Sequence, residues 1–268
     1  MDIHKTAIIH PKAKLGNHVS VGPYAIIGEG VTLGDEAVVG SFCVLEGNTA
    51  IGKGCQFFTG AVIGSIPQDK KFQGEKNIFL IIGDNNIFRE YVTVNPGTGD
   101  GGKTIIGNHN LFMAYSHIAH DCIIGNNCVM ANNGTLAGHV IIEDGAVVGG
   151  LTAIHQFVRL GRLSIVGGCS KVVQDIPPFS TCDGHPARVY GLNAIGLKRA
   201  QMSSANIQIL KKAFKILFFS SLVKSHSLEK VKKEIASCPE LDRLISFIET
   251  STRGICSSAM REKEEAVE

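Results

Sequence analysis

Large apolar side chains recur every six residues along most of the chain. The series runs from Ile9 to Ile63 in steps of six, resumes at Ile82, Phe88 and Val94, and continues from Ile106 to Val172. All 25 positions are large and apolar, and 21 of them are Ile, Leu or Val, so the period is the organising feature. An α-helix, with its period of 3.6, cannot keep one residue in six facing inward. The next residue is often glycine, as at Gly16, Gly22, Gly34, Gly52 and Gly107. The pattern predicts short flat strands that meet at corners, where glycine is expected to supply backbone angles that other residues resist. Three such strands close one coil around a solid interior, and successive coils stack at about 4.8 Å. The expected fold is mainly β: a parallel β-helix of the solenoid class.

The position two residues before the apolar residue is usually small. Ala13, Val19, Ala25, Val31, Ala37, Thr49 and Ala61 stand there, and so do Cys43, Cys55, Cys122 and Cys128. These cysteines read as small buried apolar residues; no Cys-x-x-Cys spacing suggests a metal site. The phase breaks between Ile63 and Ile82, and residues 65–80 are expected to form a loop leaving the coil. A second polar stretch, 98–104, reads as a looser excursion. Loops projecting from a rigid solenoid commonly carry binding groups.

The repeat is expected to end at Asp175-Ile176-Pro177-Pro178, with a connection to about Gly191. Residues 1–191 thus form the solenoid and 192–268 a small α-helical C-terminal domain. Ile207, Leu210, Phe214, Leu217 and Phe218 share one helical face, with Ser203 or Ser204 as N-cap. Leu228, Val231 and Ile235 mark a second helix, and Leu241, Leu244, Ile245 and Ile248 a third. Gly254 is expected to stop that helix, and 260–268 to be a solvated tail. Such helices cap the open end of a solenoid.

Charge changes the picture only locally. The net charge of +2 gives no overall basic excess for nucleic acid, but residues 192–255 hold 11 Lys/Arg against 5 Asp/Glu. No run of about 20 apolar residues offers a membrane span. Patterned sequence begins almost at the first residue, without a signal or transit peptide, so the expected location is the cytoplasm.

Candidate chemistry gathers in one stretch. His120, Gly138 and Gln156 are 18 residues apart and fall in one column on successive coils; His139 and His155 sit one residue off it, and His117 three residues before His120. Asp121 adjoins His120, and a carboxylate beside an imidazole orients a general base. The Gly138 N–H, one coil away, is placed to serve a developing oxyanion. No serine or cysteine occupies the column, which favours direct transfer over a covalent intermediate.

The segments SHIAHDCIIGNN, LAGHV, GGLTAIHQFVRLG, VGGCSKVVQDIPP and NAIGLKRA, in that order, resemble the UDP-N-acetylglucosamine O-acyltransferases of the hexapeptide-repeat acyltransferase family. The resemblance spans nearly the whole chain. It implies a left-handed β-helix, a homotrimer with sites between subunits, no cofactor or metal, and the first step of lipid A biosynthesis. The acyl donor is then acyl carrier protein and the acceptor UDP-N-acetylglucosamine. His120 resembles the catalytic base, Asp121 its partner and Gly138 the oxyanion donor. Gln68, Asp69 and Lys71 resemble residues holding the sugar and phosphates. His117, His139, His155 and Gln156 resemble contacts to the nucleotide-sugar and acyl chain, and Asn193 and Arg199 contacts to nucleotide and phosphate. Gly168 resembles the position that measures the acyl tail, where a bulky residue closes the groove. The basic segment is the expected docking surface for the acidic carrier, with Arg159, Arg162, Lys198 and Arg199 as neighbours.

The sequence departs from the family pattern at Ile195, where a glutamate is usual, and at Lys70, where a hydrophobic residue is usual. Three other readings stay open. A 3-amino sugar nucleotide would give an amide by the same base chemistry. A zinc carbonic anhydrase of the γ type shares the fold, although the His-x4-His spacing is absent. A non-enzymatic scaffold needs neither convergent histidines nor interrupting loops.

Overall fold

The computed structural model describes residues 1–259; the stretch 260–268, expected to be a tail, lies outside the described residues. Short parallel strands, mostly of two residues, form three sheets that meet at corners, the first, second and third containing Asp2–Ile3, Ile8–Ile9 and Lys14–Leu15 in turn. Each strand pairs with the one a coil later, so Ile9, Ile27, Leu45 and Ile63 align in one row. The hexad residues fill the interior: Ile27, Leu33, Val39, Leu45 and Ile118 are all buried. Phe57, Phe88 and Phe112 stack in the core at centroid spacings of 5.0 Å, close to the ~4.8 Å between adjacent strands.

The small position is buried as expected, and its thiols have partners. Cys43 donates to the Phe58 carbonyl (3.0 Å), Cys55 to Gly83 (3.1 Å), and Cys122 to Ala137 (3.3 Å). Burial pushes the Cys122 thiol up to about 12 and Cys128 to about 11. These side chains remain neutral and inert.

The glycines beside the hexad residue serve a different purpose from the one expected. The left-handed corner residue lies three positions after the apolar one and is usually not glycine: Glu36, Phe42, Asn85, His109, Asp121, Asn127 and His139 all have φ between 55° and 60°. That conformation costs an L-residue roughly 1–2 kcal/mol. Most of these corners are held by a bond from their own N–H to the neighbouring coil, as Glu36 to the Asn17 carbonyl (2.8 Å) and His139 to the His120 carbonyl (3.0 Å). Gly16 and Gly34 are instead required by close stacking. A Cβ at Gly16 would stand 2.6 Å from the Asp35 nitrogen, and one at Gly34 2.6 Å from the Lys53 nitrogen.

Both excursions begin and end earlier than expected. Phe79–Ile82 pairs with Asn48–Ile51, and Lys103–Ile106 pairs with Phe79–Ile82. Residues 79–80 and 103–104 therefore belong to strands, leaving loops at 64–78 and 95–102. Leu80 and Thr104 are buried, which returns these residues to the sheet.

The connection before the helices is also structured. Ser180–Gly184 and Ala187–Leu192 form an antiparallel hairpin that extends the first sheet. Helices α1 (Ala194–Arg199), α2 (Ser204–Phe218), α3 (Lys224–Glu234) and α4 (Pro239–Glu249) follow. The first was not expected; Asn193 caps it by accepting from the Gly196 N–H (3.0 Å). Ser203 caps α2 as expected, accepting from the Asn206 N–H. The apolar faces of α2 and α4 are buried, while Ile235 falls just beyond α3. Gly254 does not stop α4, which ends at Glu249; it lies in the return of the chain to the solenoid, where Ile255 and Ser258 bridge to Asp175 and Val189. Among the described residues no helix is long and apolar enough to cross a membrane.

Candidate active site

The corner between the second and third sheets carries the histidine column. His117 and Ile118 form a strand of the second sheet; the chain then turns through His120 and left-handed Asp121 before the strand Ile123–Ile124 of the third. That turn aims Asp121 back at its neighbour: His120 Nδ1 lies 2.8 Å from Asp121 Oδ2. His120 is only 5% exposed. Its ring lies over Gly138, where a Cβ would stand 2.5 Å from Nε2, so glycine is required there. The Gly138 N–H donates no hydrogen bond among the described residues.

His139, one coil on, stands edge-on to His120 (5.2 Å between centroids) and stacks on Phe157 (4.6 Å, 10°). Its Nε2 is 3.7 Å from Asp121 Oδ2. From the loop 64–78, Asp69 Oδ2 approaches His120 Nε2 at 3.8 Å, while Asp69 Oδ1 accepts from the Lys71 N–H (3.0 Å). His117 Nδ1 is 2.7 Å from Thr93 Oγ1. Burial, and then the charge of His120, holds the His117 imidazole below its usual value. Burial would raise the Asp121 carboxyl, but hydrogen bonds from Thr98 and His120 and the charge of His139 outweigh it, and the group lies below the usual carboxylate range. An ionised carboxylate bonded to Nδ1–H leaves Nε2 as the basic nitrogen. The donor atoms of His120, Asp121 and His139 lie within 4.8 Å of one another. A metal ion placed among them would displace hydrogen bonds that His120 and Thr98 already make to Asp121 Oδ2.

The sequence-derived residues are not all in one place. His117, His120, Asp121, Gly138, His139 and Asp69 come together. Gln156 continues the column, and His155 is exposed there, its Nδ1 3.1 Å from the Gln156 carbonyl. Gln68 and Lys71 are exposed on the loop. Gly168 lies at the corner between the first and second sheets, beside Gly150 (3.2 Å to its carbonyl from a Cβ). Asn193 donates to the Leu163 carbonyl (2.9 Å) at the third corner, and Arg199 is exposed in the last turn of α1. Arg159 is engaged in packing: its guanidinium lies 4.2 Å over the Phe247 ring and bonds Thr250. A cleft of about 840 Å³ beneath the loop 64–78, lined by Lys12, Glu46, Phe72 and Lys76, contains none of the histidines. Thr98, Thr93 and Phe157, each touching this site, were not singled out from the sequence; the step of 12 between Val94 and Ile106 was the signal that Thr98 stands in an insertion.

The family model for UDP N-acetylglucosamine O-acyltransferase, domain 2, matches residues 175–256, and that for bacterial transferase hexapeptide (six repeats) matches 103–138. The acyl-(acyl-carrier-protein)–UDP-N-acetylglucosamine O-acyltransferase of Anaeromyxobacter dehalogenans is 50% identical over 256 residues, 95% of this chain and 99% of that protein. This chain belongs to that O-acyltransferase family. The enzyme of the same name from Aliarcobacter butzleri is also 50% identical, over 258 residues covering 95% and 97%. Among solved structures of the O-acyltransferases, LpxA of Acinetobacter baumannii superposes with a TM-score of 0.90 at 42% identity, covering 95% of this chain and 99% of that one. The Bacteroides fragilis enzyme gives 0.92 at 40% identity, covering 94% and 98%. The coil is the left-handed parallel β-helix of this family, with its short helical C-terminal region.

Proposed function

We propose that this chain moves a (3-hydroxy)acyl group from acyl carrier protein to the 3-hydroxyl of UDP-N-acetylglucosamine, the first step of lipid A biosynthesis, in the cytoplasm. The observation that carries the mechanism is the 2.8 Å bond from His120 Nδ1 to Asp121 Oδ2, with the ring seated on Gly138. Nε2 takes the proton from the sugar hydroxyl as its oxygen attacks the thioester carbonyl. The negative charge passes to the carbonyl oxygen, which the Gly138 N–H stabilises. Collapse breaks the carbon–sulfur bond, and the imidazolium returns its proton to the departing thiolate. Asp69 and Lys71, with Gln68, hold the sugar and its phosphates from the loop.

The functional unit in this reading is a homotrimer. One chain distributes the expected contacts over three corners: the base at one, Gly168 at the second, Asn193 and Arg199 at the third. Adjacent subunits bring different corners together across a shared cleft, where His155 and Gln156 also meet the ligand. Apolar surface supports association: Tyr24 stacks on Phe42 and Tyr91 on Tyr115 along one exposed corner. Closed symmetric assembly covers such ridges.

Product analysis tests the acceptor. With acyl carrier protein charged with 3-hydroxyacyl groups, UDP-N-acetylglucosamine is expected to give a base-labile ester. Turnover only with the 3-amino analogue, giving an alkali-stable amide, would replace this reading with N-acylation.

A further inference from the structure

The loop 95–102 is folded on itself and stitched to its neighbour. The Gly102 N–H donates to the Gly99 carbonyl (3.1 Å) and the Gly101 N–H to the Asn77 carbonyl (2.7 Å). Asn77 Nδ2 in turn donates to Asp100 Oδ1 (2.9 Å). Asn77 belongs to the loop 64–78, which also carries Asp69. This closed turn presents Thr98 to the catalytic corner. The Thr98 N–H lies 3.1 Å from both oxygens of Asp121, and its hydroxyl donates to Oδ2 at 2.6 Å.

We propose that Thr98 is a positioning residue for the acyl transfer, acting through Asp121 on His120. A carboxylate bonded only to one imidazole can turn about its last torsion, whose energy profile is broad. Two further donors from a backbone-fixed threonine set the plane of the carboxylate. They also stabilise its charged form, because hydrogen bonds to an ionised carboxylate are among the stronger ones. A protonated or rotated Asp121 no longer accepts from Nδ1–H, and the tautomer with a basic Nε2 loses its support. The groups on either side of the ring then hang on one bracket: Asp121 at Nδ1 through Thr98, and Asp69 near Nε2 through the loop that Asn77 joins to it. Thr98 contributes no atom to the substrate in this scheme.

The inference rests on the acyl-transfer reading, and its test separates the two. Thr98→Val removes the hydroxyl and keeps the backbone donor; Thr98→Ser keeps both. In the full-length protein, Val is expected to lower kcat roughly tenfold or more, the scale of one charge-assisted hydrogen bond. KM for UDP-N-acetylglucosamine is expected to stay within about twofold. The acid limb of kcat/KM moves to higher pH, and the Asp121 carboxyl, followed by ¹³C NMR in aspartate-labelled protein, titrates higher. Ser restores all of these. A Val variant with wild-type kcat and an unmoved acid limb overturns the proposal, as does a Ser variant as impaired as Val. Should the wild type transfer no acyl group to the nucleotide-sugar, the functional reading fails; the Asp121 titration then decides the role of Thr98, supported by an upward shift in Val alone and overturned by none.

Discussion

Gly138 is the residue on which the proposed geometry turns, because the His120 ring occupies the space a side chain would need. Gly138→Ala is expected to displace the imidazole and lower kcat about 10²-fold, the cost of misplacing a reacting group by an ångström. Steady-state kinetics at unchanged KM would register this. A second single-residue prediction concerns His117. Its folded pKa lies below its ordinary value of 6.5 through burial and the charge of His120. In the interval between the two values the unfolded chain binds more protons, so stability rises with pH and is lost on acidification. Urea denaturation from roughly pH 7 to pH 5 should show the loss, and His117→Asn should flatten it. Phase arithmetic alone aligned His120, Gly138 and Gln156, because an 18-residue coil maps sequence separation directly onto position. Thr98 and Asp69 resist that arithmetic: each sits on an insertion, where the number of residues no longer fixes the place in space.

At the scale of elements, the apolar column along the solenoid makes each coil depend on its neighbours. Phe88 stacks between Phe57 and Phe112. Phe88→Ala removes both contacts and is expected to destabilise by about 3–5 kcal/mol, measured by denaturant unfolding. Buried Asn86 and Asn110 form a polar counterpart, with the Asn110 side chain donating to Asn86 Oδ1 (2.9 Å). The repeat was legible because one strong period recurs on both sides of its two interruptions. The hairpin 180–192 was not, since its strands mix small, polar and charged residues and borrow their partner, the strand Ile165–Val166, from the solenoid. Helix α1 was missed for a related reason: six residues are too few to show a period of 3.6.

At the scale of the molecule, exposed lysines on α1, α2 and α3 give the C-terminal region its basic surface: Lys198, Lys211, Lys212, Lys215, Lys230, Lys232 and Lys233. If that surface steers an acidic acyl carrier, kcat/KM for the carrier should fall with salt, since a Debye length of about 10 Å at 0.1 M screens exposed charges. Light scattering should give three chains per particle, and an active monomer would contradict the shared cleft. The most direct measurement is turnover of His120→Ala beside its binding of UDP-N-acetylglucosamine by calorimetry. Loss of a general base lowers kcat by roughly 10²–10⁴-fold with binding near that of the wild type. An alanine variant that turns over at the wild-type rate would contradict the assignment of His120 as the base.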